Sequence, residues 1–235
     1  MFKRPLIKSY KLILDILFPP ICVNCKRNIE NQDNFLCDNC FSMIQINDGF
    51  YCPTCLARRP DPQNICHGKD HYVLAPATFY KSPLPSLVHN FKYRRLEKIS
   101  KILSVILITY IKKSQLDTSS FLTTFIPLHF HKERKRGFNQ SEEIAKIFCQ
   151  YFNIPLVKTL KRIKNTKSQA QIKNNQKRAE NISNSFLAIN PENVKGKSFI
   201  LIDDISTSGA TLKEASKILK ENGARKIIGL VVAKA

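Results

Sequence analysis

The stretch FILIDDISTSGAT, residues 199–211, limits the architecture of this chain more than any other. Its first four residues, Phe199, Ile200, Leu201 and Ile202, are apolar with no polar alternation, the pattern of a strand buried on both faces. Such strands belong to parallel sheets covered by helices. Two carboxylates follow directly, Asp203 and Asp204, and then a turn rich in small residues: Ser206, Thr207, Ser208, Gly209, Ala210 and Thr211. The next segment, LKEASKILKENGA, spaces Leu212, Ala215, Ile218 and Leu219 along one helical face and stops at Gly223, suited to the left-handed residue that ends a helix. The unit is strand, acidic edge, hydroxyl-rich loop, helix.

Each part has a chemical consequence. Backbone N–H groups and short hydroxyls at a helix N-terminus form a site for phosphate. The carboxylates beside them repel phosphate but suit sugar hydroxyls and a hard cation such as Mg2+. A phosphorylated ribose needs all three contacts. An ordinary helix cap would also follow a strand, but two carboxylates at a buried strand end are costly unless they serve a ligand. DDISTSGAT resembles the phosphoribosyl-pyrophosphate (PRPP) motif of type I phosphoribosyltransferases, with Ser208 where many members carry Thr. The resemblance implies that Asp203 and Asp204 hold the ribose 2′- and 3′-hydroxyls and act as the catalytic pair, while residues 206–211 wrap the 5′-phosphate.

Seven of the eight cysteines lie between positions 22 and 66, a clustering foreign to free core cysteines. Cys22 with Cys25, Cys37 with Cys40 and Cys52 with Cys55 are CxxC pairs, and Cys66, His67 and His71 follow. Disulfides are the alternative, but each CxxC pair can supply two thiolates to one tetrahedron, and a cytosolic setting disfavours disulfides. The first two pairs make a complete zinc site. The second site has Cys52, Cys55 and Cys66, with Lys69 where another cysteine would fall, so that His71 or His67 must complete it; His71 is assigned. Structural zinc supplies folding free energy that a small module cannot gain from apolar burial, about 10–16 kcal/mol in isolated finger peptides. The zinc module, preceded by a short amphipathic helix at 6–18, is placed in residues 1–71 and the larger domain in 72–235.

At 235 residues and 43% hydrophobic content the chain can bury one good core plus such an appendage. Its 38 Lys and Arg against 18 Asp and Glu give a net charge of +20, which favours nucleic acid or polyphosphate without choosing between them. The longest apolar run, 102–111, contains Ser104 and Thr109 and is too short to span a bilayer; Asp15, Pro19 and Pro20 interrupt the N-terminal apolar segment. A soluble, cytoplasmic protein without a membrane span is expected.

Between the two ends, residues 72–79 read as a strand that Pro76 places near an edge, 84–93 and 96–111 as helices, and 121–127 as a strand. LHFHKERKRGFNQS, residues 128–141, then passes from a strand end through Lys132, Arg134, Lys135 and Arg136 to Gly137, with a helix starting near Asn139 or Ser141. Cys149 falls close to the apolar face of that helix and reads as core. Residues 158–178 carry eight cations and no acid, and read as a long mobile loop that closes over a site or binds an anion. Residues 185–189 and 226–233 supply further strands around the central one.

The CxxC-rich segment, IPLHFHKERKRGFNQS, KRIKNTKSQAQIKNNQKRAEN and LIDDISTSGAT, in that order, resemble the ComF family of competence proteins over nearly the whole chain. That resemblance implies an α/β fold with a type I phosphoribosyltransferase-like parallel sheet flanked by helices, and a small N-terminal zinc-ribbon-like module. It also implies structural Zn2+, Mg2+ with PRPP or a related nucleotide, and a role in DNA uptake and natural transformation alongside single-stranded DNA and uptake-machinery proteins. The alternative is an active phosphoribosyltransferase passing the phosphoribosyl group of PRPP to an amine or base, with Arg134, Arg136 and Lys164 stabilising the departing pyrophosphate.

Overall fold

In the computed structural model, residues 19–30, 35–62, 66–67, 71–93, 98–167, 172 and 174–235 are described. The helix expected at 6–18, Lys69, and residues 168–171 and 173 of the expected loop lie outside them. The described elements begin with helix α1 (Asp38–Ser42), strands β1 (Phe50–Tyr51), β2 (Arg58–Arg59) and β3 (Val73–Phe79), then helices α2 (Leu84–Tyr93) and α3 (Ile99–Ser114). Strand β4 (Phe121–Phe125), helices α4 (Phe130–Arg136) and α5 (Gln140–Phe152), strand β5 (Leu160–Arg162), helix α6 (Asn175–Ile182) and strand β6 (Phe186–Ala188) follow. Strand β7 (Ser198–Ser206), helix α7 (Ala210–Glu221) and strand β8 (Lys226–Lys234) complete the order.

The strands β3, β8, β7 and β4 lie side by side and parallel, with β1 and β2 continuing the sheet antiparallel beyond β3. Period-two alternation splits the unbroken apolar run of β7 between two cores. Ile200 and Ile202 face Leu103 and Leu107 of α3 and Ile144 and Phe148 of α5, whereas Phe199 and Leu201 face Leu212, Ala215 and Leu219 of α7. All four β7 residues are fully buried, each worth about 1.5–3 kcal/mol of transfer free energy. That burial fixes where the carboxyl end of β7, and so Asp203, emerges. Among the described residues no helix is long and apolar enough to cross a membrane.

Three expectations are corrected. The basic stretch after β4 is a helix, α4, closed by Gly137 at φ +90°, so its cations are spaced around a helical turn. The cationic segment 158–178 is structured at both ends: Leu160 and Arg162 of β5 are buried around an exposed Lys161, and α6 begins at Asn175. Strand β5 pairs antiparallel with β6, Arg162 opposite Phe186, so the strand read at 185–189 belongs to a separate two-stranded sheet. A three-residue alternation is too short to distinguish from a loop by periodicity.

The zinc module is sewn to the main sheet. Tyr51 of β1 pairs with Leu74, the Asn47 N–H donates to the Ala77 carbonyl (2.9 Å), and Asn47 Nδ2 donates to the Pro76 carbonyl (2.9 Å). Only that single register pair joins β1 to β3, so Pro76 sits past the point where β1 leaves the sheet. From the helical layer, the hydroxyl of Tyr110, a fully buried residue, donates to the Gly49 carbonyl (2.8 Å), and the Phe50 ring meets the Tyr110 ring edge-on at 6.3 Å. Tyr110→Phe keeps the ring contact but leaves the Gly49 carbonyl without its donor. Chemical denaturation should show a loss of about 1–3 kcal/mol, and an unchanged midpoint would mean that this bond does not join the two parts.

Candidate functional site

Two cysteine knuckles of the same design build the metal sites. In the first, the Lys26 N–H donates to the Cys22 carbonyl (3.0 Å) and the Cys22 N–H to the Arg27 carbonyl (2.8 Å); in the second, Leu56 to Cys52 (3.0 Å) and Cys52 to Ala57 (2.9 Å) repeat both bonds. The residue after each of these two CxxC pairs is left-handed, Lys26 at φ 65° and Leu56 at φ 58°. Within each group, Cys22, Cys25, Cys37 and Cys40, and Cys52, Cys55, Cys66 and His67, every ligand atom lies within 4.8 Å of the others. The Cys25 and Cys37 sulfurs are 3.6 Å apart and those of Cys55 and Cys66 3.8 Å, against about 2.05 Å in a disulfide. Four ligands at a Zn–S distance of about 2.3 Å span tetrahedral edges of about 3.8 Å, so the donor sets fit zinc.

The histidine of the second set is His67, whose Nδ1 is 3.3 Å from the Cys52 sulfur. His71, assigned from the sequence, instead lines a cavity at the amino ends of the strands. The reason is positional: His67 adjoins the ligand Cys66, whereas His71 leads into β3, which is pinned to β8 from Val73 onward. His67→Ala should lower zinc content by up to one ion per chain and His71→Ala should not, measured by metal analysis of purified protein; the reverse result would restore His71 as the ligand.

At the other end of the sheet, β7 delivers Asp203 and Asp204 into a buried corner. Asp203 Oδ1 accepts from Ser141 Oγ at the start of α5 (2.9 Å) and from the Asp204 N–H (2.9 Å). Asp204 is ion-paired to Lys92 Nζ on the last turn of α2, and its Oδ1 accepts from the Ile205 N–H (2.8 Å). Burial first, and the neighbouring Asp204 carboxylate second, push the Asp203 carboxyl up to about 7. Beyond the carboxylates, residues 206–211 bend around Gly209 at φ +76° into α7, whose first-turn N–H groups have no acceptor within the helix. Lys234 Nζ on β8 braces the loop by donating to the Thr207 carbonyl (2.7 Å). A cavity of about 390 Å3 is lined by Lys92, Arg136, Asp203, Ile205 and all of 206–212. Seven of the eight residues expected at the sugar and phosphate therefore line one space, and the eighth, Asp204, lines the cavity that adjoins it.

A smaller adjoining cavity of about 120 Å3 gathers Lys92, Lys132, Arg136 and Arg162 around the two carboxylates. Four cations against two acids leave this corner positive. Burial, then Arg162 and Arg136, hold the Lys132 ammonium down at about 8. Of the three cations expected to meet pyrophosphate, only Arg136 lines these cavities; Arg134 is exposed on α4, and Lys164 is exposed with Nζ donating to the Ser183 carbonyl (2.9 Å). Their places are taken by Lys132, one helical turn before Arg136, and by Arg162, inward-facing on β5. Lys92 and Ser141 also escaped the motif reading. Ser141 belonged to the quoted RGFNQS, while Lys92 carried no local signal because its partner lies across the fold.

Residues 135–235 match the family model of the phosphoribosyl transferase domain, and residues 13–68 that of the double zinc ribbon domain. Competence protein F of Haemophilus influenzae is 29% identical over 153 residues, covering 63% of this chain and 66% of that protein. The DNA utilization protein YhgH of Salmonella typhimurium is 28% identical over 155 residues, covering 64% and 67%. Competence protein ComFC of Bacillus subtilis is 31% identical over 103 residues, covering 44% and 40%. The matched region thus spans about two thirds of the length of the first two relatives. With a double zinc ribbon and a phosphoribosyl transferase domain matched in one chain, this protein is similar to competence protein F and to the DNA utilization protein YhgH.

Proposed function

We propose that this protein binds PRPP or a related nucleotide at the carboxyl end of β7 and acts in DNA uptake during natural transformation, handling single-stranded DNA in the cytoplasm. One observation carries the ligand reading: a cavity joins the buried Asp203, a hydroxyl-rich loop and the N-terminus of a twelve-residue helix, and the adjoining cavity adds Asp204. In this reading Asp203 and Asp204 accept from the ribose hydroxyls. The amides and hydroxyls of 206–211 receive the 5′-phosphate, and Arg136, Lys132 and Arg162 face the pyrophosphate. Asp204 offers an oxygen donor for Mg2+ carried by the ligand, which would add positive charge at the pyrophosphate; Lys92 must then leave that oxygen. The names of the relatives support the biological setting. We assign the zinc ribbons to residues 1–71 and ligand binding to 72–235.

A transferase reading has its own support in the cation corner, which is preassembled on rigid elements where a leaving pyrophosphate would develop charge. In that case an amine or base displaces pyrophosphate from the ribose C1, with Lys132, Arg136 and Arg162 stabilising the departing anion.

Asp203→Asn combined with Asp204→Asn should abolish PRPP binding by isothermal titration while the circular dichroism spectrum stays native; equal affinity in the double variant would remove the carboxylates from the site. In the parent protein a bound anion favours the charged Lys132, so binding takes up a proton and affinity should fall as pH rises through about 8. For single-stranded DNA, exposed Lys161, Lys164 and Lys167 are the cations in question. Changing all three to Gln should flatten the dependence of log K on log salt by about 2, at about 0.7 per phosphate contact, in fluorescence anisotropy. An unaltered slope would place the DNA elsewhere.

A further inference from the structure

Helix α4 buries none of its seven residues, yet it opens with Phe130, which at 62% exposure is the most exposed large apolar side chain among the described residues. Packing therefore does not account for it. Its ring continues into a short aromatic array, with the His129 and His131 rings at 4.6 and 3.8 Å between centroids. Phe130 is also a wall of a cleft of about 330 Å3 between α4 and the small β5–β6 sheet, with Leu128 and Ile189 as further apolar lining. Lys158 and Lys161 stand exposed at the same cleft. Leu128 and Arg162 line both this cleft and the cavity around Asp203 and Asp204, so the two spaces adjoin.

An exposed aromatic ring, apolar walls and flanking ammonium groups match one ligand chemistry: a flat heteroaromatic ring joined to phosphate. Every nucleobase has a π-face that stacks on such a ring, while lysines at the rim meet the phosphates attached to it. Glu133, one helical turn after Phe130 and facing the same cleft, can accept from a ring N–H or an exocyclic amine.

We propose that the cleft between α4 and the β5–β6 sheet is a nucleobase site in which the base stacks on Phe130. The base is supplied either by a mononucleotide or by a single strand of DNA. Its place next to the ribose rests on the sugar-phosphate reading of the neighbouring cavity; the stacking does not.

The chain contains no tryptophan, so Phe130→Trp installs a single indole reporter at the stacking position while keeping an aromatic surface. This variant is titrated with adenosine 5′-monophosphate, with an oligodeoxyadenylate, and with an abasic oligonucleotide of equal length. Indole fluorescence should be quenched by a base-bearing ligand and not by the abasic strand; quenching by the mononucleotide alone, or by the strand alone, identifies the source. Absence of quenching by either, or equal quenching by the abasic strand, overturns the proposal. In a second arm, Phe130→Ala should weaken binding of the base-bearing ligand about five- to a hundred-fold, as loss of one stacked base does, and leave abasic binding unchanged. Equal weakening of both would make Phe130 a structural residue. PRPP titrations of the parent run alongside: PRPP binding without base quenching defeats this proposal alone, and base quenching without PRPP binding defeats the sugar-phosphate reading alone.

Discussion

Two adjacent carboxylates at the end of a buried strand repel each other and lose their water, and much of the architecture around β7 compensates for that pair. Lys92 supplies a countercharge to Asp204, Ser141 a hydroxyl to Asp203, and the local backbone turns two N–H groups inward. These partners come from the end of α2 and the start of α5, so both helices must dock before the corner is satisfied. Compensation is incomplete. Asp203 is held up to about 7, above its unfolded value near 3.8, so the folded state grips its proton more tightly. The contribution of this group to stability is therefore fully present below that unfolded value and is lost as pH rises through about 7.

The cations opposite are organised with equal economy. Thr166 ties two of them together: Lys132 Nζ donates to its carbonyl and Arg162 Nη2 to its hydroxyl, each at 2.5 Å. Arg162 also lies over the Phe186 ring at 5.4 Å. Strand β5, helix α4 and the start of the segment after β5 are thus locked around one threonine, and the guanidinium is oriented before any anion arrives. Preorganised charge of this kind costs nothing at the moment of binding, because the repulsion among Lys132, Arg136 and Arg162 is already met by the fold.

What the sequence revealed and what it hid follow from the range of the interactions. DDISTSGAT is contiguous, so its strand, carboxylates, loop and helix could be read locally, as could the CxxC spacing. Lys92 and Arg162 reach the corner only through long-range packing, and neither stands out from its neighbours in a chain with 38 Lys and Arg. The same excess of cations made Arg134 and Lys164 look as suitable as Lys132 and Arg162, because separating them needs the helical phase of α4 and the inward face of a three-residue strand. The choice between His67 and His71 was likewise a matter of where β3 begins, which spacing between cysteines does not encode.

Tyr72 connects the zinc-ribbon module to the 206–211 loop. It sits at the foot of β3, two residues before Leu74, the point where β1 of the second ribbon joins the sheet. Its ring lies against β8 so closely that a Cβ on Gly229 would come within 2.8 Å of it, and its hydroxyl would be 3.1 Å from a Cβ on Gly209. One tyrosine therefore demands a glycine in the strand beneath it and shares with the backbone the demand for another in the loop, where φ +76° already excludes most side chains. The second knuckle lies in the hairpin of β1 and β2, β1 pairs with β3 at Leu74, β3 sets the position of Tyr72, and Tyr72 bounds the loop that enters α7. The ribbon thus stands at the far end of a continuous stack of contacts that ends at Gly209 in the 206–211 loop.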